Sequence, residues 1–134
     1  MQPSDPNPFF IQNILVVDDE ENTRACLAEL LTSEGYQVAS ASDGIEALDC
    51  LQCGDYQLVI TDINMPRMNG MAFLDQLMQH HPGLDVIMVT AFGGVETYVK
   101  AMNQGVYEYL HKPVRLDDLR SVMQKLSLER SSLS

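Results

Sequence analysis

The sequence predicts an α/β domain: a five-stranded, doubly wound parallel sheet with strand order 2-1-3-4-5 and helices on both faces. Five short runs of mostly apolar residues alternate with segments whose apolar residues recur every three or four positions. Three of these runs are almost wholly apolar, which is typical of parallel strands covered by helices on both faces. Repeated right-handed strand–helix units commonly produce this strand order.

The predicted strands are the runs at 14–17, 36–40, 58–61, 86–89 and 107–110. The second run is the weakest, since Gln37 and Ser40 interrupt it. Helical spacing of apolar residues is clear in four of the segments that follow the runs: Leu27, Leu30 and Leu31; Phe73, Leu74, Leu77 and Met78; Val95, Val99 and Met102; Leu116, Leu119, Val122, Met123 and Leu126. Glycines stand where helices are expected to stop, at Gly35, Gly54, Gly83 and Gly105.

The length and charge of the chain limit what it can be. Its 134 residues are enough for one domain, expected over 13–127, with a flexible N-terminal extension at 1–12 and a frayed C-terminal tail at 128–134. The formal net charge of −11 opposes binding to nucleic acid or anionic lipid, so a protein partner is favoured. Neither a signal peptide nor an apolar run long enough for membrane insertion is visible, so a cytoplasmic location is expected.

The pair Cys50 and Cys53 forms one Cys-x-x-Cys sequence, which could indicate redox chemistry or a metal site. No second pair and no nearby histidine completes a zinc site, and the pair does not follow a predicted strand. We therefore interpret both cysteines as small apolar residues near a helix end.

Polar residues follow four of the five predicted strands. Asp18 and Asp19 follow the first, Asp62 the third, Thr90 the fourth and Lys112 the fifth. In the order 2-1-3-4-5 these four strands are neighbours, and sites in such sheets form beyond the carboxyl ends of the strands. Asp18 or Asp19 alone could be a helix cap, whereas Asp62, directly after an apolar run, would be partly buried. Three carboxylates, a hydroxyl and an ammonium at one edge instead indicate a functional site.

Carboxylates brought close together repel one another unless a cation joins them. Oxygen ligands that leave room for water and phosphate suit Mg²⁺, and we expect it to be held by Asp18, Asp19, Asp62 and the backbone carbonyl of Asn64. The sequence contains no glycine-rich phosphate loop and no Ser/His/Asp or Cys/His arrangement. A carboxylate can itself accept a phosphoryl group as an acyl phosphate. Lys112 and Thr90 would then stabilise the phosphoryl oxygens.

Four motifs in this order resemble those of the receiver domains of two-component response regulators, which have a flavodoxin-like fold shared with chemotaxis regulators. They are Val16-Val17-Asp18-Asp19-Glu20; Asp62-Ile63-Asn64-Met65-Pro66-Arg67-Met68-Asn69-Gly70; Val89-Thr90-Ala91; and Tyr109-Leu110-His111-Lys112-Pro113. The resemblance extends from about Asn13 to Leu126. The segment 91–97 is more similar to the receivers of transcriptional activators than to chemotaxis receivers.

The resemblance implies roles for these residues. Asp62 would be the phosphoacceptor, and Asp18 and Asp19 would bind Mg²⁺, with Asp19 the more direct ligand. Thr90 and Lys112 would contact the phosphoryl group. Tyr109 would be the switch aromatic that turns inward when Thr90 moves, although simple packing beside Tyr107 is the alternative.

Three further positions take their interpretation from the family. The Lys112–Pro113 peptide bond would be cis. Phe92 occupies a position that, together with that of Asn64, tunes hydrolysis of the phosphate. Tyr98, next to the predicted core stripe of the fourth helix, is expected to be exposed at an output surface.

The resemblance implies a signalling switch rather than an enzyme, with at most slow self-phosphorylation and self-dephosphorylation. Its partners would be a histidine kinase or phosphotransfer protein and a downstream protein or output domain, with a phosphorylation-dependent homodimer as a further option. The domain could equally be the receiver module of a larger transcriptional regulator. A phosphatase of the haloacid dehalogenase type is disfavoured because Asp62 is on the third strand and Asn64 cannot act as a general acid. A flavin carrier is disfavoured because the acidic segment after the first strand would repel phosphate.

Overall fold

The computed structural model describes residues 11–65, 68–91 and 94–131, and its ten elements alternate between strand and helix. The strands are β1 (Asn13–Val17), β2 (Gln37–Ala41), β3 (Leu58–Asp62), β4 (Asp85–Thr90) and β5 (Glu108–His111). The helices are α1 (Glu21–Ser33), α2 (Gly44–Cys53), α3 (Gly70–His80), α4 (Val95–Asn103) and α5 (Leu116–Ser131). All strand pairs are parallel and the order is β2-β1-β3-β4-β5, so the predicted fold class and strand order are confirmed.

Side chains from the two faces of the sheet form two hydrophobic cores. Along β1, Leu15 and Val17 belong to one core, whereas Ile14 and Val16 belong to the other. The first core is covered by α2, α3 and α4, and the second by α1 and α5. Burying each large aliphatic side chain contributes roughly 1.5–3 kcal/mol, which is why β1, β3 and β4 are apolar on both faces.

Capping residues fix where two of the helices start. The side chain of Asp43 accepts a hydrogen bond from the Glu46 amide at the start of α2, at 2.8 Å. The side chain of Asn69 accepts one from the Ala72 amide at the start of α3, at 2.9 Å. Gly35 and Gly105, which follow α1 and α4, adopt φ angles of 99° and 104°, as glycines beyond a helix end commonly do.

The predicted core stripe of α4 is wrong for two of its three residues. Val95 is 80% exposed and Val99 is 46% exposed, whereas Met102 packs partly against the first core. The buried residue of this helix is Ala101, and Thr97, four residues earlier, is partly buried. Because the small Ala101 faces the sheet, α4 turns its more apolar side outward, and Tyr98 is exposed as expected.

Both predicted ends of the domain need correction. Ile11 is buried and the Gln12 amide donates to the Gln57 side chain at 2.9 Å, so these two residues of the expected flexible extension are ordered. Similarly, α5 continues to Ser131 and so includes the first residues of the expected frayed tail. Arg130 pairs with Asp85 at 2.5 Å, which holds the last turn of α5 against the sheet.

Other parts of the predictions lie beyond the described ranges. These are residues 1–10, Pro66 and Arg67 of the second motif, Phe92, and the end of the tail at 132–134. In the described ranges, no helix combines the length and the apolar character needed to cross a membrane.

Candidate functional site

The carboxyl ends of four adjacent strands carry the side chains singled out from the sequence. Asp18 lies directly after β1, Asp62 is the last residue of β3, Thr90 is the last residue of β4, and Lys112 lies directly after β5. Parallel pairing of these strands places all four ends at one edge of the sheet. The Lys112–Pro113 peptide bond, at the end of this set, is cis.

Asp18, Asp19 and Asp62 form a cluster of carboxylates whose oxygen atoms lie within 4.8 Å of one another. Asp18 is 2% exposed and Asp62 is 7% exposed, whereas Asp19 is open to solvent. Three negatively charged groups at this separation repel one another strongly, and more so where water is excluded. Because all the donors are hard oxygen atoms and one side is open to solvent, the cluster suits a hydrated Mg²⁺ ion.

Lys112 provides the positive charge that the described residues place inside this cluster. Its Nζ atom lies 2.7 Å from Asp18 Oδ2 and 2.9 Å from Asp62 Oδ2. Burial alone would lower the pKa of Lys112, but its hydrogen bonds to Asp18 and Asp62 outweigh burial and raise that pKa. The ammonium therefore stays charged and bridges the two buried carboxylates.

The loop after β3 supplies the remaining contacts of Asp62. The backbone amide of Asn64 donates to Asp62 Oδ1 at 3.2 Å, while Asp62 Oδ2 accepts from Lys112. The side-chain amide of Asn64 lies 3.5 Å from the hydroxyl of the fully buried Thr90, a long contact at the limit of a hydrogen bond. Asn64 thus contacts Asp62 through its backbone amide and Thr90 through its side chain.

Sequence reasoning missed Arg24, in the first turns of α1. Its Nη1 atom donates to the backbone carbonyl of Asp18 at 2.7 Å. The available signal was simple: Arg24 is the only Lys or Arg among the first 66 residues, and it follows the acidic pair closely.

Sequence reasoning also missed the reason for Gly70. Its amide donates to the carbonyl of Ile63 at 2.6 Å, which draws the start of α3 against the backbone that follows Asp62. A Cβ atom at this position would lie 2.4 Å from Ile63 Cα and 2.7 Å from the Asp62 carbonyl oxygen. The glycine was noted as part of the second motif, but only coordinates show this contact.

Tyr109 lies on β5, is 7% exposed, and packs edge-on against Tyr98 of α4 with ring centroids 5.4 Å apart. Within the described part of the chain, its buried hydroxyl has no hydrogen-bond partner. Burial, and then the negative charge of Asp62, raise the pKa of Tyr109, so the hydroxyl stays neutral. The structure therefore places an inward-facing, unbonded tyrosine between the site and the exposed face of α4.

Comparison with known proteins agrees with this geometry. The family model of the response regulator receiver domain matches residues 14–124. The transcriptional regulatory protein ZraR of Escherichia coli K12 is 37% identical over 113 residues, which cover 84% of this chain and 26% of that protein. The transcriptional regulatory protein GlrR of the same organism is 38% identical over 120 residues, covering 90% of this chain and 27% of that protein. The chain therefore spans about a quarter of the length of these curated relatives.

Solved structures give the same result. A response regulator receiver domain protein (CheY-like) from Methanospirillum hungatei superposes with a TM-score of 0.87 at 30% identity, covering 93% of this chain and all of that chain. The receiver domain of NtrX from Brucella abortus superposes with a TM-score of 0.81 at 36% identity, covering 86% of this chain and 98% of that chain. The chain belongs to the family of response regulator receiver domains.

Proposed function

We propose that this receiver domain is a phosphorylation switch in which Asp62 accepts a phosphoryl group from the phosphohistidine of a histidine kinase or phosphotransfer protein. The observation that carries the proposal is the position of Lys112, whose ammonium contacts both Asp18 and Asp62, two members of the carboxylate cluster that also includes Asp19. A carboxylate flanked by an ammonium and by cation ligands can act as a nucleophile. The ammonium and the cation then stabilise the charge of the acyl phosphate that forms.

The proposed transfer is balanced without a further reactant. An oxygen of Asp62 forms the new bond to phosphorus while the P–N bond of the donor phosphohistidine breaks and the imidazole leaves with the electron pair. Mg²⁺ held by Asp18, Asp19, Asp62 and the Asn64 carbonyl would offset charge on the phosphoryl oxygens. Lys112 is already directed at an oxygen of Asp62, and its ammonium would pair with the phosphoryl group once Asp62 carries it as an acyl phosphate.

The switch itself involves Thr90 and Tyr109. Phosphorylation adds about −1.5 to −2 charge units next to Thr90, whose hydroxyl lies 3.5 Å from the side-chain amide of Asn64. Movement of Thr90 toward a phosphoryl oxygen alters the packing next to Tyr109, which contacts Tyr98 on the outer face of α4. We propose that a downstream protein, an output domain or a second copy of the chain reads this change at the exposed Val95, Tyr98 and Val99.

A second candidate, that the domain is the receiver module of a larger transcriptional regulator, is supported by the relatives. Two of them are transcriptional regulatory proteins about four times as long as the matched region. In that arrangement the partner that reads α4 is an output domain of the same protein. A haloacid dehalogenase-type phosphatase has no comparable support, because the family match and the position of Asp62 on β3 both favour a receiver.

The acceptor assignment is tested by incubating the protein with acetyl phosphate and Mg²⁺ and measuring its intact mass. Wild type should gain one phosphoryl group, and Asp62→Asn should gain none, because an amide is not a competent acceptor. Asp49→Asn is the matched control, since Asp49 is exposed on α2 and the same chemical change there should leave labelling intact. Equal labelling of wild type and Asp62→Asn would refute the assignment.

The partner is tested by phosphotransfer profiling against purified histidine kinases of the host. One kinase should label wild type within seconds to minutes and leave Asp62→Asn unlabelled. If no kinase or phosphotransfer protein labels wild type while acetyl phosphate does, the proposed donor class is wrong.

A further inference from the structure

The carboxylate of Asp19 reaches the cluster with little help from its own side-chain contacts. Over the described ranges the structure gives Asp19 no hydrogen-bond partner, and the side chain is exposed. Its direction therefore depends on the backbone from which it extends. The peptide unit that matters most joins the carbonyl of Asp18 to the amide of Asp19.

Three bonds attach the amide and the side chain of Asp18 to the rest of the fold. The Asp18 amide donates to the carbonyl of Ala41 at 3.1 Å, and Asp18 Oδ1 accepts from the Glu20 amide at 2.8 Å. Asp18 Oδ2 is held by Lys112 at 2.7 Å. None of these three bonds reaches the peptide unit that carries Asp19.

Arg24 makes the contact that does. Its Nη1 atom donates to the carbonyl oxygen of Asp18 at 2.7 Å, a short, charge-assisted bond in a partly buried position. Arg24 is anchored in turn, because its own amide donates to the Glu20 carbonyl at 3.0 Å as α1 begins. Arg24 therefore links the start of α1 to the Asp18–Asp19 peptide unit.

We propose that Arg24 is a positioning residue for the cation site: it holds the Asp18–Asp19 peptide so that the Asp19 carboxylate stays within reach of Asp18 and Asp62. This inference rests on the proposed function, since it concerns the Mg²⁺ site of the same cluster. Groups that orient metal ligands without touching the metal commonly alter affinity by about 10- to 100-fold when removed.

The charge of Arg24 allows a positioning role to be distinguished from a purely electrostatic effect on Mg²⁺ binding. A guanidinium near the cluster repels a divalent cation, so an effect of charge alone would make Mg²⁺ bind more tightly when Arg24 is neutralised. Loss of positioning has the opposite sign and weakens binding. The direction of the change in affinity therefore separates the two effects.

The experiment measures Mg²⁺ affinity by isothermal titration calorimetry, which suits a chain without tryptophan. Arg24→Gln should bind Mg²⁺ about tenfold more weakly than wild type. Arg24→Lys should fall between the two, because it keeps a donor but loses the planar, pre-organised guanidinium. The matched control is Arg120→Gln, which removes the same charge from an exposed pair with Glu34 and should leave affinity unchanged.

A second readout is independent of the metal. In the metal-free protein, the NMR resonance of the Asp19 amide should shift in Arg24→Gln, because that amide shares its peptide unit with the Asp18 carbonyl. It should not shift in Arg120→Gln. If Arg24→Gln fails to fold, the Arg24→Lys variant carries both measurements.

The outcomes separate this inference from the proposed function. If wild type binds Mg²⁺ and Arg24→Gln binds it equally well or more tightly, the positioning role is refuted while the function stands. An unshifted Asp19 amide in Arg24→Gln would refute it as well. If wild type itself shows no Mg²⁺ binding, the metal site fails first, and the role of Arg24 fails with it.

Discussion

Gly70 offers a direct test of how α3 packs against the backbone at the end of β3, where Asp62 lies. The substitution Gly70→Ala would place a Cβ atom 2.4 Å from Ile63 Cα, 2.6 Å from the Ile63 carbonyl oxygen and 2.7 Å from the Asp62 carbonyl oxygen. Ordinary contacts begin near 3.4 Å, so at least one of the two backbone segments must move by about 1 Å.

The size of the effect follows from which atoms collide. All three are backbone atoms, which cannot rotate away as a flexible side chain can. Overpacking of this kind costs about 1–3 kcal/mol, and we expect about 3 kcal/mol here because no side chain can relieve the contact. For a domain of this size the loss corresponds to a decrease in melting temperature of about 10 °C.

The assay is thermal or urea unfolding of Gly70→Ala compared with Gly83→Ala. Gly83 is a matched control because a Cβ there meets nothing within 4 Å and its φ angle is not in the left-handed region. Its replacement should be neutral or stabilising by about 0.5 kcal/mol. Labelling by acetyl phosphate, measured well below the melting temperature, should also fall by about tenfold or more in Gly70→Ala because Asp62 is displaced. If the two alanine variants unfold at the same midpoint, the packing described for this loop is wrong.

Two further predictions concern the titratable side chains of Lys112 and Tyr107. Lys112→Met should destabilise the metal-free protein by about 2–4 kcal/mol, because it leaves buried carboxylates without their ammonium. Saturating Mg²⁺ should restore more stability to this variant than to wild type or to the exposed-site control Lys100→Met. An equal Mg²⁺ response in all three proteins would contradict this prediction. Burial, and then the hydrogen bond and charge of Glu129, raise the pKa of Tyr107 in the folded protein. The stability that the neutral Tyr107 hydroxyl contributes is therefore complete below about pH 10, the unfolded-state pKa, and is lost as pH rises toward the folded-state pKa. Tyr107→Phe should therefore lose less stability than wild type between about pH 9 and pH 11, and parallel losses in urea midpoints would show that Tyr107 does not titrate in this way.

The sequence was sufficient for the architecture because the signals that define it are local. The run at 58–60 is apolar throughout, and a parallel sheet covered on both faces is the arrangement that buries such runs. The edge of the sheet was predictable for the same reason: once the strand order is known, residues that follow adjacent strands must converge. The contact of Lys112 with both Asp18 and Asp62 bears out that convergence.

Features that depend on rotation or on backbone proximity were not predictable. The predicted orientation of α4 was wrong because Val95 and Val99 are more hydrophobic than Ala101, although the small alanine is the residue that fits against the sheet. The last turns of α5 make long-range contacts that the sequence does not indicate, such as the ion pair between Arg130 and Asp85. The role proposed for Arg24 depends on a hydrogen bond to a backbone carbonyl group. Because every residue has a backbone carbonyl, the sequence does not indicate which one Arg24 contacts.

The central claim is that Asp62 forms the acyl phosphate, and the most direct measurement is to locate the modified residue. Protein treated with acetyl phosphate and Mg²⁺ is reduced with borohydride, which converts a phosphorylated aspartate to homoserine, and is then digested and sequenced by tandem mass spectrometry. We predict homoserine at position 62 and unmodified aspartate at positions 18 and 19. Homoserine at either of those two positions, or at none of the three in protein that has gained a phosphoryl group, would contradict the account.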